Sequence, residues 1–103
     1  MREEHGWVVV APRGEIDLLT APEVRDALVA APGPRVALDL RGVGFLDTSG
    51  LRVILEHDRR ADETGVAFAV LRGSDAVTRL LRVAGLYDLL TICDTLGPDG
   101  AGA

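Results

Sequence analysis

Phe45-Leu46-Asp47-Thr48-Ser49-Gly50-Leu51 decides how this chain folds, because an apolar strand there gives way to an amphipathic helix. From about Ser49 to Thr64, Leu51, Ile54, Leu55 and Ala61 recur near one helical face. Arg52, Glu56 and Arg60 stand at i, i+4 intervals on the other face, a solvated charge row worth about 0.2–0.5 kcal/mol per pair. Gly65 follows as a C-terminal stop. A serine at such a helix start is exposed and has two physical readings. It can cap the helix by accepting a hydrogen bond from a backbone N–H. It can also present its hydroxyl at the electropositive end of the helix, where a phosphate is tolerated without disturbing the core. Asp47 is placed to cap the helix or to accept backbone hydrogen bonds in the turn.

Working outward, Trp7-Val8-Val9-Val10-Ala11 is a β-branched strand, closed by a turn at Pro12 and Gly14. Glu15-Ile16-Asp17 resumes an extended path. Thr20 and Glu23 have the spacing of a capping box, with Leu19 and Val24 placed as a hydrophobic staple. Val24, Ala27 and Leu28 then form the apolar stripe of a helix that stops at Ala31-Pro32-Gly33-Pro34. Arg35-Val36-Ala37-Leu38-Asp39-Leu40 reads as a central strand, and Val66-Ala67-Phe68-Ala69-Val70-Leu71 as another buried one. Ser74 caps a further helix with Val77, Leu80, Leu81 and Ala84 on its buried face, ended by Gly85 with Leu86 behind it. Leu89-Leu90-Thr91-Ile92 adds a short strand or helix. Strands alternating with helices predict a single small α/β domain over residues 1–96, its mixed sheet covered mainly on one face. Residues 97–103, rich in glycine, are expected to be a flexible tail.

The chain has 103 residues and a formal net charge of −5, with eleven arginines, no lysine and sixteen acids. Scattered cations under a net negative charge argue against a nucleic-acid surface. Only four per cent of residues are aromatic, so the core is built from Val, Leu, Ile and Ala. Cys93 is the only cysteine, which forbids an intrachain disulfide and reads as a small buried hydrophobe. The polar start, Met1-Arg2-Glu3-Glu4-His5, is unlike a signal peptide, and no apolar run approaches membrane-spanning length. The expectation is a cytoplasmic protein with no membrane contact.

Four stretches carry a resemblance: Gly14-Glu15-Ile16-Asp17 before a capped helix, Val36-Ala37-Leu38-Asp39-Leu40, Phe45 to Leu51, and Arg79-Leu80-Leu81-Arg82-Val83-Ala84-Gly85-Leu86. In order and separation they resemble the STAS-domain family over roughly residues 7–93, and in particular its anti-sigma factor antagonists. The resemblance implies a STAS-type fold and a binding protein rather than an enzyme, with no catalytic residues and no cofactor of its own. It implies phosphorylation at Ser49, directly before Gly50, with Thr48 as the alternative acceptor. It places Asp17, Asp47, Thr48, Ser49 and Gly50 on the partner-binding surface. The implied partners are an anti-sigma factor that is itself an ATP-dependent serine kinase, and a phosphoprotein phosphatase. The alternatives are a STAS subunit of a stressosome-like scaffold or of a lipid-transport ATPase complex, and, from another class, a nucleotide-binding or hydrolytic domain.

Other chemistries fail on spacing. Ser49, His57 and Asp58 contain the letters of a triad, but eight residues along one helix separate serine from histidine by about 12 Å. Gly42-Val43-Gly44-Phe45-Leu46-Asp47 has aspartate where the dinucleotide fingerprint needs its third glycine. A phosphate-binding loop of the Walker type needs a lysine. His5 and His57 have no neighbouring Cys or His that would suggest zinc, and His57 reads as a helix-surface or half-buried residue.

Overall fold

Val36, Ala37, Leu38 and Asp39 are all buried, which is what a strand covered on both faces requires. The computed structural model, which describes residues 1–102, places them at the centre of a five-stranded sheet. In chain order the elements are β1 (Arg2–Glu4), β2 (Trp7–Val10), β3 (Gly14–Ile16), α1 (Ala21–Ala30), β4 (Arg35–Asp39), β5 (Val43–Leu46) and α2 (Thr48–Thr64). There follow β6 (Ala67–Leu71), α3 (Asp75–Val83), β7 (Ile92–Cys93), β8 (Thr95–Gly97) and β9 (Gly100–Gly102). The main sheet runs β1-β2-β4-β6-β7. Only β1 is antiparallel to its neighbour; β2, β4, β6 and β7 are parallel, with Val10 beside Leu38 and Leu38 beside Val70.

Side-chain alternation divides the interior. Val36, Leu38, Phe68 and Val70 point to the helical side, where they meet Leu28 of α1, Ile54 of α2 and Leu81 of α3. Ala37 and Ala69, one residue out of step, point to the other side with Trp7, Val9, Leu71, Cys93 and Leu96. The three helices thus cover one face. The second face is covered by the end of the chain: β8 and β9 form an antiparallel hairpin, Leu96 belongs to the smaller cluster and Ala101, from the expected tail, packs against it. The Trp7 indole donates to the Gly97 carbonyl at 3.1 Å and the Arg35 guanidinium to that of Pro98 at 2.7 Å. Residues 97–102 of the stretch expected as a flexible tail thus take part in strands and long-range hydrogen bonds that local composition does not signal; Ala103 lies outside the described residues.

The start of α1 also differs from expectation. Thr20 makes no side-chain cap; its hydroxyl lies within reach of the Glu15 carbonyl at 2.8 Å and accepts from the Asp17 N–H at 2.9 Å. Leu19 is 84% exposed and staples nothing. The later caps follow the sequence reading. Ser74 Oγ accepts from the Val77 N–H at 3.2 Å, and Leu86 N–H reaches back to the Leu81 carbonyl at 2.9 Å behind a left-handed Gly85.

At the end of β4, Asp39 is buried and gripped by arginines. Arg41 donates from Nε to Oδ1 at 3.0 Å and from Nη2 to Oδ2 at 2.9 Å, and Arg2 adds a 3.2 Å bond. Burial pushes the carboxyl pKa up, but the Arg41 and Arg2 hydrogen bonds outweigh it and bring the value down to about 2.

Candidate functional site: the β3–β5 corner and the start of α2

β3 and β5 pair with each other and stand apart from the main sheet, with Ile16 beside Leu46. Each strand is followed directly by an aspartate, Asp17 after β3 and Asp47 after β5. The Asp47 N–H donates to the Ile16 carbonyl at 3.2 Å, which fixes the corner where α2 begins beside Asp17.

Asp47 is the N-cap of α2. Its Oδ1 accepts from the Ser49 N–H at 2.8 Å and from the Gly50 N–H at 3.4 Å. Thr48 and Ser49 are therefore the first two helical residues, and the capping reading of Ser49 falls away. Thr48 is exposed, while Ser49 is half-buried and less open than expected. Among the described residues the Ser49 hydroxyl has no hydrogen-bond partner within the chain.

Asp17 does for its own loop what Asp47 does for α2. Its Oδ1 accepts from the N–H groups of Leu19 and Thr20, each at 3.0 Å. The Thr20 backbone bond, the strongest influence, lowers the pKa of Asp17 below the usual carboxylate value despite some desolvation. In both aspartates one oxygen organises the backbone, and Oδ2 has no partner among the described residues.

Gly50, assigned to the partner-binding surface by resemblance, is instead buried. A Cβ there would press on Leu46 Cδ1 and stand 2.9 Å from Ile16 Cγ2 and 3.2 Å from the Ile16 carbonyl oxygen. Its role is steric: without a side chain, α2 lies directly on the β3–β5 pair. Phe45 departs from the reading of a buried strand, at 51% exposed. With Leu18, 74% exposed, and Leu19 it surrounds the corner with solvent-facing apolar side chains. Sequence reasoning missed this group. Its signal was the pair Leu18-Leu19 directly after a turn-forming aspartate, which the supposed staple absorbed.

His57 lies two turns further along α2 and is buried, not at the surface. Its ring meets Phe68 edge-on at 4.7 Å, and burial, then the charge of Arg60, lowers its pKa. Cys93 is buried as expected, and desolvation raises its thiol pKa. Among the described residues no group of three or more His, Cys, Asp or Glu is arranged to hold a metal ion. No helix among them is long and apolar enough to cross a membrane.

The profile of the STAS domain matches residues 1–98, and the chain belongs to that family. It is 32% identical to an anti-sigma F factor antagonist of Paenibacillus polymyxa, over 91% of this chain and 84% of the relative. It is 31% identical to an anti-sigma-B factor antagonist of Bacillus subtilis (strain 168), over 89% of this chain and 86% of that protein. Among solved structures, an anti-sigma factor antagonist from Mycobacterium paratuberculosis superposes with a TM-score of 0.81 at 30% identity, covering 92% of this chain and 83% of the other.

Proposed function

We propose that this protein is an anti-sigma factor antagonist whose unphosphorylated form binds an anti-sigma factor and so releases the sigma factor that the latter holds. In this reading the anti-sigma factor is an ATP-dependent serine kinase that phosphorylates Ser49, a phosphatase removes the phosphate, and this chain performs no catalysis of its own. The names of its relatives support the partner class. The observation that carries the switch is the position of Ser49: inside the first turn of α2, relieved of capping by Asp47, with an unpartnered hydroxyl.

A phosphate adds about −1.5 to −2 charges at pH 7. At a helix N-terminus that charge is stabilised by about 0.3–1 kcal/mol, so the domain stays folded. In an interface the same group is desolvated beside Asp47 and Asp17, where like-charge juxtaposition costs several kcal/mol. Each ~1.4 kcal/mol is tenfold in affinity, so the interface effect wins and binding falls about a hundredfold or more. Leu18, Leu19 and Phe45 supply the apolar surface that binding buries, and Asp17 and Asp47 each keep one oxygen for the partner.

The test is a pull-down from the source bacterium's cytosol with wild-type, Ser49→Ala and Ser49→Asp baits, read by mass spectrometry. The expected result is an ATPase-type kinase on the first two baits and not on the third. Equal recovery by all three would overturn the switch and favour a scaffold or transporter-subunit role.

A further inference from the structure

A hollow of about 350 Å³ lies against α3, lined by Arg72 just past β6 and by Asp75, Thr78, Arg79 and Arg82 of the helix. Three guanidiniums here meet one carboxylate, in a chain whose net charge is −5. Arg72 is already occupied, its Nε standing 3.1 Å from Asp94 Oδ1. Arg79 and Arg82 form no ion pair among the described residues. The Arg82 guanidinium lies over the Tyr87 ring at 4.3 Å, and that of Arg72 is 5.8 Å from the same ring. Such stacking holds cations in place without using their N–H donors.

The wall between these arginines carries a free hydroxyl. In mid-helix a threonine hydroxyl commonly bonds a carbonyl three or four residues back, as Thr64 does with Arg60 at 2.8 Å. Thr78 is only 8% exposed, yet among the described residues its hydroxyl makes no such bond. The orphaned Nε2 of His57 is sealed in the interior, whereas the Thr78 hydroxyl is not enclosed.

We propose that this hollow binds the phosphate group of a small polar monoester, whose oxygens accept from the Arg79 and Arg82 guanidiniums and from the Thr78 hydroxyl. Guanidinium forks match pairs of phosphate oxygens and form charge-assisted hydrogen bonds with them. Asp75 selects among oxyanions: a singly protonated phosphate donates its P–OH to that carboxylate, while sulfate only meets a like charge. The volume lies at the lower end of the ~300–1,000 Å³ common for small-molecule sites. The five lining residues are all polar and offer no apolar slot for a nucleotide base. Ser49 and the β3–β5 corner take no part, so this inference is independent of the regulatory reading.

The experiment is an NMR titration of the full-length, unphosphorylated ¹⁵N-labelled protein with glycerol 3-phosphate, beside sulfate and glycerol. Low ionic strength limits screening, and at pH ~6 a phosphate monoester carries its second proton about half the time. Saturable shifts are expected at the Thr78 and Arg79 amides and at the Arg79 and Arg82 Nε–H signals. Sulfate is expected to bind about tenfold more weakly, and glycerol not to saturate. Arg79→Gln is expected to cost about tenfold in affinity. Thr78→Val keeps the side-chain shape and removes the donor, and is expected to cost about fivefold, a loss that diffuse surface charge would not produce. Asp75→Asn is expected to abolish the preference over sulfate. Thermal melts check each fold, and should Thr78→Val not fold, Arg79→Gln on the exposed face still tests the site. The proposal is overturned by an absence of saturation with glycerol 3-phosphate, by sulfate matching it on the wild type, or by folded Arg79→Gln or Thr78→Val variants that bind as the wild type does.

Discussion

Two serines stand at helix starts in this molecule, and they have opposite fates. Ser74, just outside α3, gives its hydroxyl oxygen to the Val77 N–H, and the first turn behind it already carries Asp75. Ser49 lies one step inside α2, where Asp47 has taken over capping and the first turn holds no acid. The residue type is the same, but the neighbour decides whether the hydroxyl caps the helix or is left without a partner in the chain. A phosphate on Ser74 would lose a cap and meet Asp75; on Ser49 it would cost no cap and stand at the positive end of a helix, with the Asp47 carboxylate as its near like charge.

The contrast is broken most forcefully at the partner surface. Ser49→Asp is expected to weaken kinase binding about a hundredfold in calorimetric titration while leaving the melting temperature nearly unchanged. A large fall in melting temperature would make Ser49 structural after all. Gly50→Ala is expected to destabilise the fold through overpacking of about 1–3 kcal/mol against Ile16 and Leu46, partly offset by the better helix propensity of alanine. Denaturant unfolding measures the difference, and an unchanged midpoint would refute the close approach of α2 to β3. Acid separates the corner from the core. With its pKa lowered from 3.8 to about 2, Asp39 contributes stability that is present above pH ~4 and is lost as pH falls toward 2, about 2 kcal/mol in all. The same titration on Asp39→Asn is expected to lack that part of the acid slope.

Capping substitutions sharpen the comparison at finer scale. Asp47→Ala and Ser74→Ala are each expected to cost about 1 kcal/mol, a fall of about 4–8 °C in melting temperature, while Ser49→Ala is expected to change it by less than about half that. Equal losses at all three positions would erase the distinction between a capping and a presented serine.

What the sequence made legible follows from how local each signal is. The apolar run of β4, the helical stripe of α2 and the stop at Gly65 are read from neighbours in the chain; β4 and Gly65 stand as read, while the buried face of α2 keeps Ile54 and Ala61, adds Val53 and His57, and leaves Leu51 and Leu55 partly buried. The cap at the start of α2 was legible for the same reason, since Asp47 lies directly before the helix it caps. The hairpin of β8 and β9 was not, because its anchorage comes from Trp7 and Arg35, far away in sequence. At α1, Asp17 and Thr20 competed for one task, and only the three-dimensional path of the loop shows that Asp17 holds the N–H groups of Leu19 and Thr20. Gly50 looked like part of a surface motif because its neighbours are; the need for glycine arises from Ile16, which meets it only after folding. The orphaned Nε2 of His57 has no sequence signature, since it depends on what α1 and β6 fail to offer.

Asp17 and Asp47 hold their two turns in place whether or not a partner is present. If a partner docks at this corner as proposed, little loop entropy is lost on the side of this chain, and docking resembles the meeting of two preformed bodies. The association rate is then set by diffusion, orientation and charge rather than by a slow rearrangement of this protein. In the proposed switch a phosphate would act on a preformed surface, altering the energy of contact at one fixed point without a rearrangement of this chain.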